Sequence, residues 1–426
     1  MMSVDGWEPR SLLALADYIN GYAFKPDDWG KEGLPIIRIE QLKNPDGPVD
    51  YYAGQLPSAV VIDDGDLIFS WSASLFLRIW THGRAALNQH LFKVIERDGV
   101  DRLFLKAFIE FYLPDLIKAS HGSTMQHITR KELERFAAPF PRYEHEQAKI
   151  AEVLSTVDRA IEQTEALIAK QQRIKTGLIQ DLLTRGIDEQ GNLRSEQTHE
   201  FKDSLLGRVP VEWEVITLGA MLKRARGYLQ TGPFGSQLHA YEYVHEGTPI
   251  IMPQNILDGQ ISTSGIARIP ERRANELHRH RLLPNDVVFS RRGDLSRAAG
   301  IGERETGWIC GTGCFLLRVA PDAIESTWLA NVYRLHHVQR QVETNAVGST
   351  MPSLNNAVME NLIVAFPKAD EQQEIMRRCG AAADGIASTF NQLAKMRAIK
   401  RGLMGDLLTG NRRVTALVDQ REEVTT

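Results

Sequence analysis

One stretch of this chain occurs twice. Residues 166–184 read ALIAKQQRIKTGLIQDLLT, and residues 391–409 read NQLAKMRAIKRGLMGDLLT. Ala-Lys, Ile-Lys, Gly-Leu and Asp-Leu-Leu-Thr recur in one register. Lys170 answers to Lys395, Ile174 to Ile399, Gly177 to Gly402 and Asp181 to Asp406, each 225 residues apart. Chance does not align so many positions without a gap. Both stretches lack proline and space their apolar residues as a helix does. The chain therefore reads as two long repeats, each ending in a helix.

The repeat continues upstream. Gly122-Ser123-Thr124-Met125 matches Gly348-Ser349-Thr350-Met351, Phe140-Pro141 matches Phe366-Pro367, and Glu146-Gln147 matches Glu371-Gln372. Farther back, Asp66-Leu67-Ile68-Phe69-Ser70 pairs with Asp286-Val287-Val288-Phe289-Ser290, Gly33–Ile37 with Gly247–Ile251, and Trp7-Glu8 with Trp213-Glu214. The offset drifts from 206 to 226, as small insertions require. A period this long is a domain duplication rather than a solenoid.

The resulting fold class is mixed α/β (α+β): two globular α/β bodies joined by two long helices, with a pseudo-twofold internal repeat. Residues 1–143 form the first body, with strands expected at 34–39, 59–62, 66–69 and 91–95 and turns at 45–48 and 63–65. Helices are expected at 11–19, 103–119 and 129–136, the last capped by Thr129 with Glu132 closing a capping box. Residues 144–186 form the first long helix, with a stripe at Ile150, Val153, Leu154, Val157, Ile161, Ile168, Ile174, Leu178 and Leu182. Residues 187–210 are a polar linker with docked segments, and 211–368 form the second body. Residues 369–410 are the second long helix, striped by Ile375, Cys379, Ala382, Ile386, Leu393, Met396, Leu403 and Leu407, and 411–426 are a frayed tail. Helices of ~60 Å seek a partner. An antiparallel coiled coil satisfies both, with Lys170, Lys175, Lys395 and Lys400 on its solvated flanks. The alternative is that each helix packs on its own body.

Composition constrains the chemistry. No apolar run approaches the ~20 residues that span a bilayer. The start, MMSVDGWEPR, lacks the pattern of a secretory leader. Three cysteines, Cys310, Cys314 and Cys379, fit a reducing cytoplasm and buried strand positions better than a zinc site, because no second ligand pair stands at zinc spacing. A net charge of −4 argues against a uniformly basic surface and leaves room for a local basic face. The motifs of P-loops, dinucleotide folds, amino-methyltransferases and zinc proteases are absent from the sequence. No catalytic residue and no metal ligand is expected.

What remains is polar and sits near turns. Ser123 and Thr124, and in the second copy Ser349 and Thr350, stand before short helical pieces. There they can offer hydroxyls and amides to a phosphate, or act simply as N-caps. Between 268 and 297 lie Arg268, Arg272, Arg273, Arg279, Arg281, Arg291, Arg292 and Arg297, with His278 and His280 among them. Arginine forks match guanine O6 and N7, although a charge run can also be a solvated face. Arg291-Arg292-Gly293 follows a strand, a good place for a loop that enters a groove. The first copy carries Trp71-Ser72 there, with Arg78, Arg84, Asn88, Gln89 and His90 nearby. Trp71 and Trp80 read equally well as core residues. Lys25, Arg38 and Gln237 complete the candidate DNA contacts at loop positions. Lys170, Lys175, Asp181, Lys395, Lys400 and Asp406 are candidate partner-docking residues on the helices.

Taken in order, these pieces resemble the DNA specificity (S) subunit of type I restriction-modification systems. The resemblance adds Gly21-Tyr22-Ala23-Phe24-Lys25 and Gly232-Pro233-Phe234-Gly235-Ser236 near the starts of the copies. It also adds Phe201-Lys202-Asp203-Ser204 with Gly207, Pro210 and Trp213-Glu214 leading into the second half. It implies two target-recognition domains, each reading half of a split site in double-stranded DNA. It implies that the helices are spacer and docking surface for two methyltransferase (M) subunits holding S-adenosylmethionine. It places ATP, Mg and the nuclease in restriction (R) motor subunits. It transfers no catalytic position to this chain. Leu205-Leu206-Gly207-Arg208-Val209 departs from the family, which commonly has an acidic residue before the proline. A stand-alone nuclease or methyltransferase and a sequence-indifferent architectural protein are the competing readings.

Overall fold

The computed structural model describes residues 6–119, 128–234, 237–346 and 352–414. They form two compact units: residues 1–167 with 389–426, and residues 168–388. Each unit holds one α/β body and one half of each long helix.

In the first unit, strand Trp7–Ser11 pairs antiparallel with Ala137–Pro141. Beyond it runs an antiparallel sheet in the order Ala16–Asn20, Leu91–Glu96, Leu67–Ser70, Phe76–Ile79. A second sheet orders Tyr51–Tyr52, Leu34–Ile37, Ala85–Leu87 and Val61–Ile62, with Ile36 and Ala86 in parallel register. Helix Arg102–Ala119 buries Phe104, Leu105, Phe108 and Ile109 completely against the first sheet. The helix expected at 11–19 is one turn only. Ser11 caps Leu12–Leu15 by accepting from the Ala14 amide, and the chain then turns extended at Ala16. The alternation of buried Ala16 and Tyr18 with exposed Asp17 is the period of a strand, and it overrides the local helical pattern. Helix Arg130–Arg135 begins as expected, with the Glu132 carboxylate accepting from the Thr129 amide at 2.8 Å.

The second unit repeats this plan. Glu214–Thr217 pairs with Ile363–Phe366. The four-stranded sheet orders Tyr228–Thr231, Cys314–Arg318, Val287–Ser290, Ala298–Gly300, and the smaller sheet orders Ala267–Ile269, Thr248–Ile251, Ile309–Cys310. Cys310 and Cys314 are buried strand residues, and burial pushes both thiols well up, so they are inert packing groups. Gly21 and Gly232 hold the same place in the two copies. A Cβ on the first would collide with the Asn88 carbonyl, and on the second with the Gly311 carbonyl, so only glycine lets the strand pass.

The long helices are Glu144–Arg185 and Ala369–Leu407. In the first unit, Asp158 meets Lys400 and Glu165 meets Arg397, each at 2.6 Å, while Leu407 and Leu408 share a core with Ile150 and Leu154. In the second, Leu182 and Leu183 share a core with Ile375 and Cys379. Low numbers on one helix meet high numbers on the other throughout, which is antiparallel pairing. Ile174, placed on the stripe by its spacing, is instead 58 % exposed, and its counterpart Ile399 is 56 % exposed. The half-buried positions beside them are Lys175 and Lys400, so these two lysines do not stand on the solvated flank as expected. Lys400 pairs with Asp158 at 2.6 Å. Lys170 and Lys395 are exposed, as expected.

The ends of the helices are closed by the same device twice. Gln147 is fully buried; its amide donates to the Gly99 and Pro141 carbonyls and accepts from the Asp101 amide. Gln372 donates to Pro367 and accepts from Glu325. Beside them, Glu146 is paired with Arg413 at 2.6 Å and Glu371 with Arg194 at 2.5 Å. The linker is thus docked through Arg194 and buried Ile187, and it carries a hairpin, Phe201–Ser204 with Gly207–Pro210. Residues 411–414, the described part of the tail, are docked through Arg413 and buried Val414. Among the described residues no helix is long and apolar enough to cross a membrane.

Candidate nucleic-acid interface

Both bodies present a loop at the end of a fully buried strand, and one set of residues fixes it. Asp66 and Asp286 accept from the amides of Asp63 and Leu283, three residues earlier, and set the turn into the strand. Ser70 and Ser290 close the strand, their hydroxyls donating to the Ser74 and Arg292 carbonyls. The next residue is Trp71 in one copy and Arg291 in the other. Each uses its carbonyl to accept a backbone amide, from Ile128 or Leu354. Each also lies on the matching phenylalanine: the Trp71 indole stacks on Phe92 at 5.5 Å, and the Arg291 guanidinium lies 5.9 Å from the Phe315 ring. Two residues on, Ala73 (φ 59°) and Gly293 (φ 78°) take the left-handed turn.

The arginine-rich window is largely engaged with its own domain. Arg273 binds Glu242 and Glu276, Arg281 binds Glu271, and Arg297 binds Asp294. The acids show it. Glu242 is held below the usual carboxylate range by the His239 amide and Arg273, and Asp294 by the Ser296 hydroxyl and Arg297. Arg268 donates to the Gly247 carbonyl, and Arg272, 92 % exposed, stands 3.5 Å from Glu276. The Arg291 Nε donates to the Leu354 carbonyl, and burial together with Arg292 pushes its pKa down. Among the described residues, the side chains of Arg279 and Arg292 are exposed and meet no hydrogen-bonding or ionic partner. They are the cations of this window left free for a ligand. Burial, with Arg279 and His278 beside it, pushes the His280 imidazole below its usual range.

The first body divides the same way. Arg38 is paired with Asp50 at 2.8 Å and lies over the Trp29 ring. Arg78 donates to the Leu42 carbonyl, and Asn88 is buried at a strand end, accepting from the His90 amide. Gln89 is half-buried, while Lys25, Arg84 and His90 are exposed. Trp80 is core, as one of its two readings held. Gln237 is exposed and uses its side-chain oxygen to accept from the Phe234 amide. Ser123, Thr124, Ser349 and Thr350 lie outside the described residues. No group of three or more His, Cys, Asp or Glu among the described residues could hold a metal.

Sequence reasoning passed over one feature beside each loop. The smaller sheet's central strand is followed by a crossover, 41–48 in the first copy and 255–262 in the second. A buried amide clamps each. Gln41 accepts from the Arg38 amide at 3.2 Å and donates to the Pro48 carbonyl at 2.7 Å. Asn255 accepts from the Met252 amide at 3.0 Å and donates to the Ser262 carbonyl at 3.4 Å. Within the clamp the first copy has a short helix, Ile39–Lys43, and a turn, while the second has a hairpin, Ile256–Leu257 with Gln260–Ile261. The equal spacing of Gln41 to Pro48 and Asn255 to Ser262, at one offset of 214, was the signal available.

On the helices, Lys170 and Lys395 remain exposed, and Asp181 and Asp406 pair with Arg185 and Arg412. Exposed Ile174 and Ile399, which repeat at the same offset as those residues, were not foreseen as surface groups.

Comparison with known proteins agrees with this duplicated architecture. The family model for the type I restriction modification DNA specificity domain matches residues 4–171 and again 210–379, together well over half of the chain. The Type I restriction enzyme EcoBI specificity subunit of Escherichia coli is 24 % identical over 95 % of this chain and 86 % of its own length. The Type I restriction enzyme MjaVIII specificity subunit of Methanocaldococcus jannaschii is 22 % identical, over 97 % and 94 %. Among solved structures, one from work on complex assembly and conformational transition of the type I R-M system aligns with a TM-score of 0.61 at 16 % identity, covering 96 % of this chain and 99 % of that one. The S subunit from M. genitalium aligns with a TM-score of 0.51 at 16 % identity, over 96 % and 97 %. With two specificity domains in tandem and paired long helices, the chain belongs to the type I restriction-modification specificity subunits, whose part in the enzyme is DNA recognition rather than catalysis.

Proposed function

We propose that each α/β body reads one half of a bipartite site in double-stranded DNA, and that the paired helices set the spacer and dock two methyltransferase subunits. The observation that carries this is the shared frame with unshared contents: Trp71 and Arg291 occupy one place on one scaffold. Identical frames give both bodies the same approach to a duplex, and different side chains let them select different bases. In the arginine-rich window of the second body, Arg279 and Arg292 are exposed and meet no partner among the described residues; in the first body, Lys25 and Arg84 are exposed. S-adenosylmethionine would be held by the methyltransferase subunits, and ATP and Mg by restriction subunits. Lys170, Ile174 and Asp181, repeated as Lys395, Ile399 and Asp406, form one docking motif used twice. An exposed isoleucine flanked by cations suits an apolar socket with an acidic rim.

The test is co-expression with methyltransferase subunits, followed by sequencing of methylated adenines. A split motif is expected. Exchanging residues 211–368 for those of a relative should change one half of it only. Methyl transfer by the purified chain alone, or a motif altered in both halves by the exchange, would overturn the reading.

A further inference from the structure

We propose that the crossovers 41–48 and 255–262 are specificity-determining tips, with Asn44 selecting a base in one half-site and Asp258 in the other. The inference rests on the reading that each body contacts one half-site. It adds elements and residues which that reading does not supply.

Three observations carry it. First, the frame is invariant and the content is not. A buried amide closes the same eight-residue span in both bodies, Gln41 at 5 % exposure and Asn255 at 1 %. One span is a helix and turn, the other a two-residue hairpin. A clamp of this kind holds the two ends of the span in place, so the enclosed residues can change without disturbing the sheet.

Second, the tips stand beside the loops that follow the buried strands. In the first body Lys43 donates to Ser74 of that loop at 2.7 Å, and Arg78 holds the Leu42 carbonyl at 2.6 Å. In the second, Arg297 donates to the Pro253 carbonyl at 3.2 Å. A polar trough of about 230 Å³ lies there, between Leu257, Asp258 and Gly259 on one side and Asp294, Ser296 and Arg297 on the other. Loop and tip therefore form one edge in each body.

Third, the tips are offered to solvent on rigid supports. In the first tip Asn44 is exposed above buried Leu42; in the second the Asp258 side chain is fully exposed and Leu257 is 46 % exposed, with Ile256 and Ile261 buried. Asp258 takes φ 49° and Gly259 φ 79°, the paired left-handed residues of a tight hairpin turn. The ion pair from Asp258 to Arg334, at 3.6 Å with the Asp258 side open to water, is weak.

The chemistry follows from donors and acceptors. A carboxylate on a DNA-facing tip is repelled by phosphate, so it is tolerated only where it accepts from a base amino group. The cytosine N4 amino group in the major groove is the natural match. The Asn44 amide both donates and accepts, which matches adenine N6 and N7.

The experiment uses the complex with its methyltransferase subunits and compares Asp258→Asn and Asn44→Asp with wild type by sequencing methylated adenines. Asp258→Asn keeps the hairpin, since Asn-Gly is the most favoured turn of this type. Equal thermal midpoints would confirm intact folding. We expect Asp258→Asn to shift preference from cytosine towards adenine at one position of one half-site, about tenfold. Asn44→Asp should do the reverse in the other half-site. A split wild-type motif that both variants methylate with unchanged preference overturns the inference and leaves the domain reading standing. A wild type with no split motif overturns both.

Discussion

Arg413 closes on Glu146 from 267 residues away, its Nε 2.6 Å and its Nη2 3.0 Å from a carboxylate that is 1 % exposed. Removing the guanidinium leaves a buried acid without its partner, which costs about 3 kcal/mol. Arg413→Ala should lower the stability of the first unit by that order, and Arg194→Ala should do the same to the second through Glu371. Lysine at either position should recover less than half, because a point charge cannot make both bonds. Denaturant unfolding with one probe in each unit reads the effect; an equal loss in both units from Arg413→Ala would contradict it.

Ala73 takes a left-handed turn that its counterpart Gly293 takes without strain. The Cβ costs about 1–2 kcal/mol there, and glycine gives back part of that as unfolded-state entropy. Ala73→Gly should stabilise the first unit by about 0.5–1 kcal/mol, visible as a rise in its unfolding midpoint. A lower midpoint would show that the turn is held by something other than backbone preference.

Neighbouring Arg291 and Arg292 should part company on substitution. Arg291→Ala removes a hydrogen bond to Leu354 and the packing on Phe315, so the domain should soften before recognition is read at all. Arg292→Ala should leave the melting curve unchanged and act on DNA. A base contact would cost about 1–3 kcal/mol at one position of one half-site. A phosphate contact would weaken all sequences alike and reduce the salt slope by about one. Melting curves and salt titrations of the two variants separate these outcomes.

The long helices, of 42 and 39 residues, are the expected ruler for the spacer. One heptad inserted into the middle of each keeps the apolar seam and adds ~10 Å. At about 3.4 Å per base pair the preferred spacer should lengthen by roughly three pairs. Three pairs also turn the second half-site by about 100°, so affinity should fall as the preference moves. Methylation of duplexes differing only in spacer length gives the answer, and an unmoved preference at full affinity would remove the helices as ruler.

How much the sequence disclosed differs by scale. The duplication, both long helices and the matching of Trp71 with Arg291 were legible, because long periods and in-register identities survive without any knowledge of packing. What was hidden depended on three-dimensional pairing. The arginine window looked free because sequence adjacency does not reveal that Glu242 comes back to Arg273 or Glu271 to Arg281. The run 11–19 read as helix because its apolar residues fit both periods, and pairing with Leu91–Glu96 decided for strand. Ile174 read as seam because a stripe of near-heptad spacing is ambiguous by one residue; the neighbour on the seam is Lys175. The clamped crossovers were missed because Gln41 and Asn255 are different residue types doing one job.

The two units differ in one respect that bears on how the chain is made. The second is a single run, 168–388, whereas the first joins residues 1–167 to 389–426. On a ribosome the second can therefore close while synthesis continues. The first, although its body emerges earliest, must wait for Leu407, Leu408, Arg413 and Val414 to cover Ile150, Leu154 and Glu146. The unit whose body emerges earlier is the one completed later. A chain that stops after residue 388 has a completed second unit attached to a first whose apolar helix face stays open to aggregation and proteolysis.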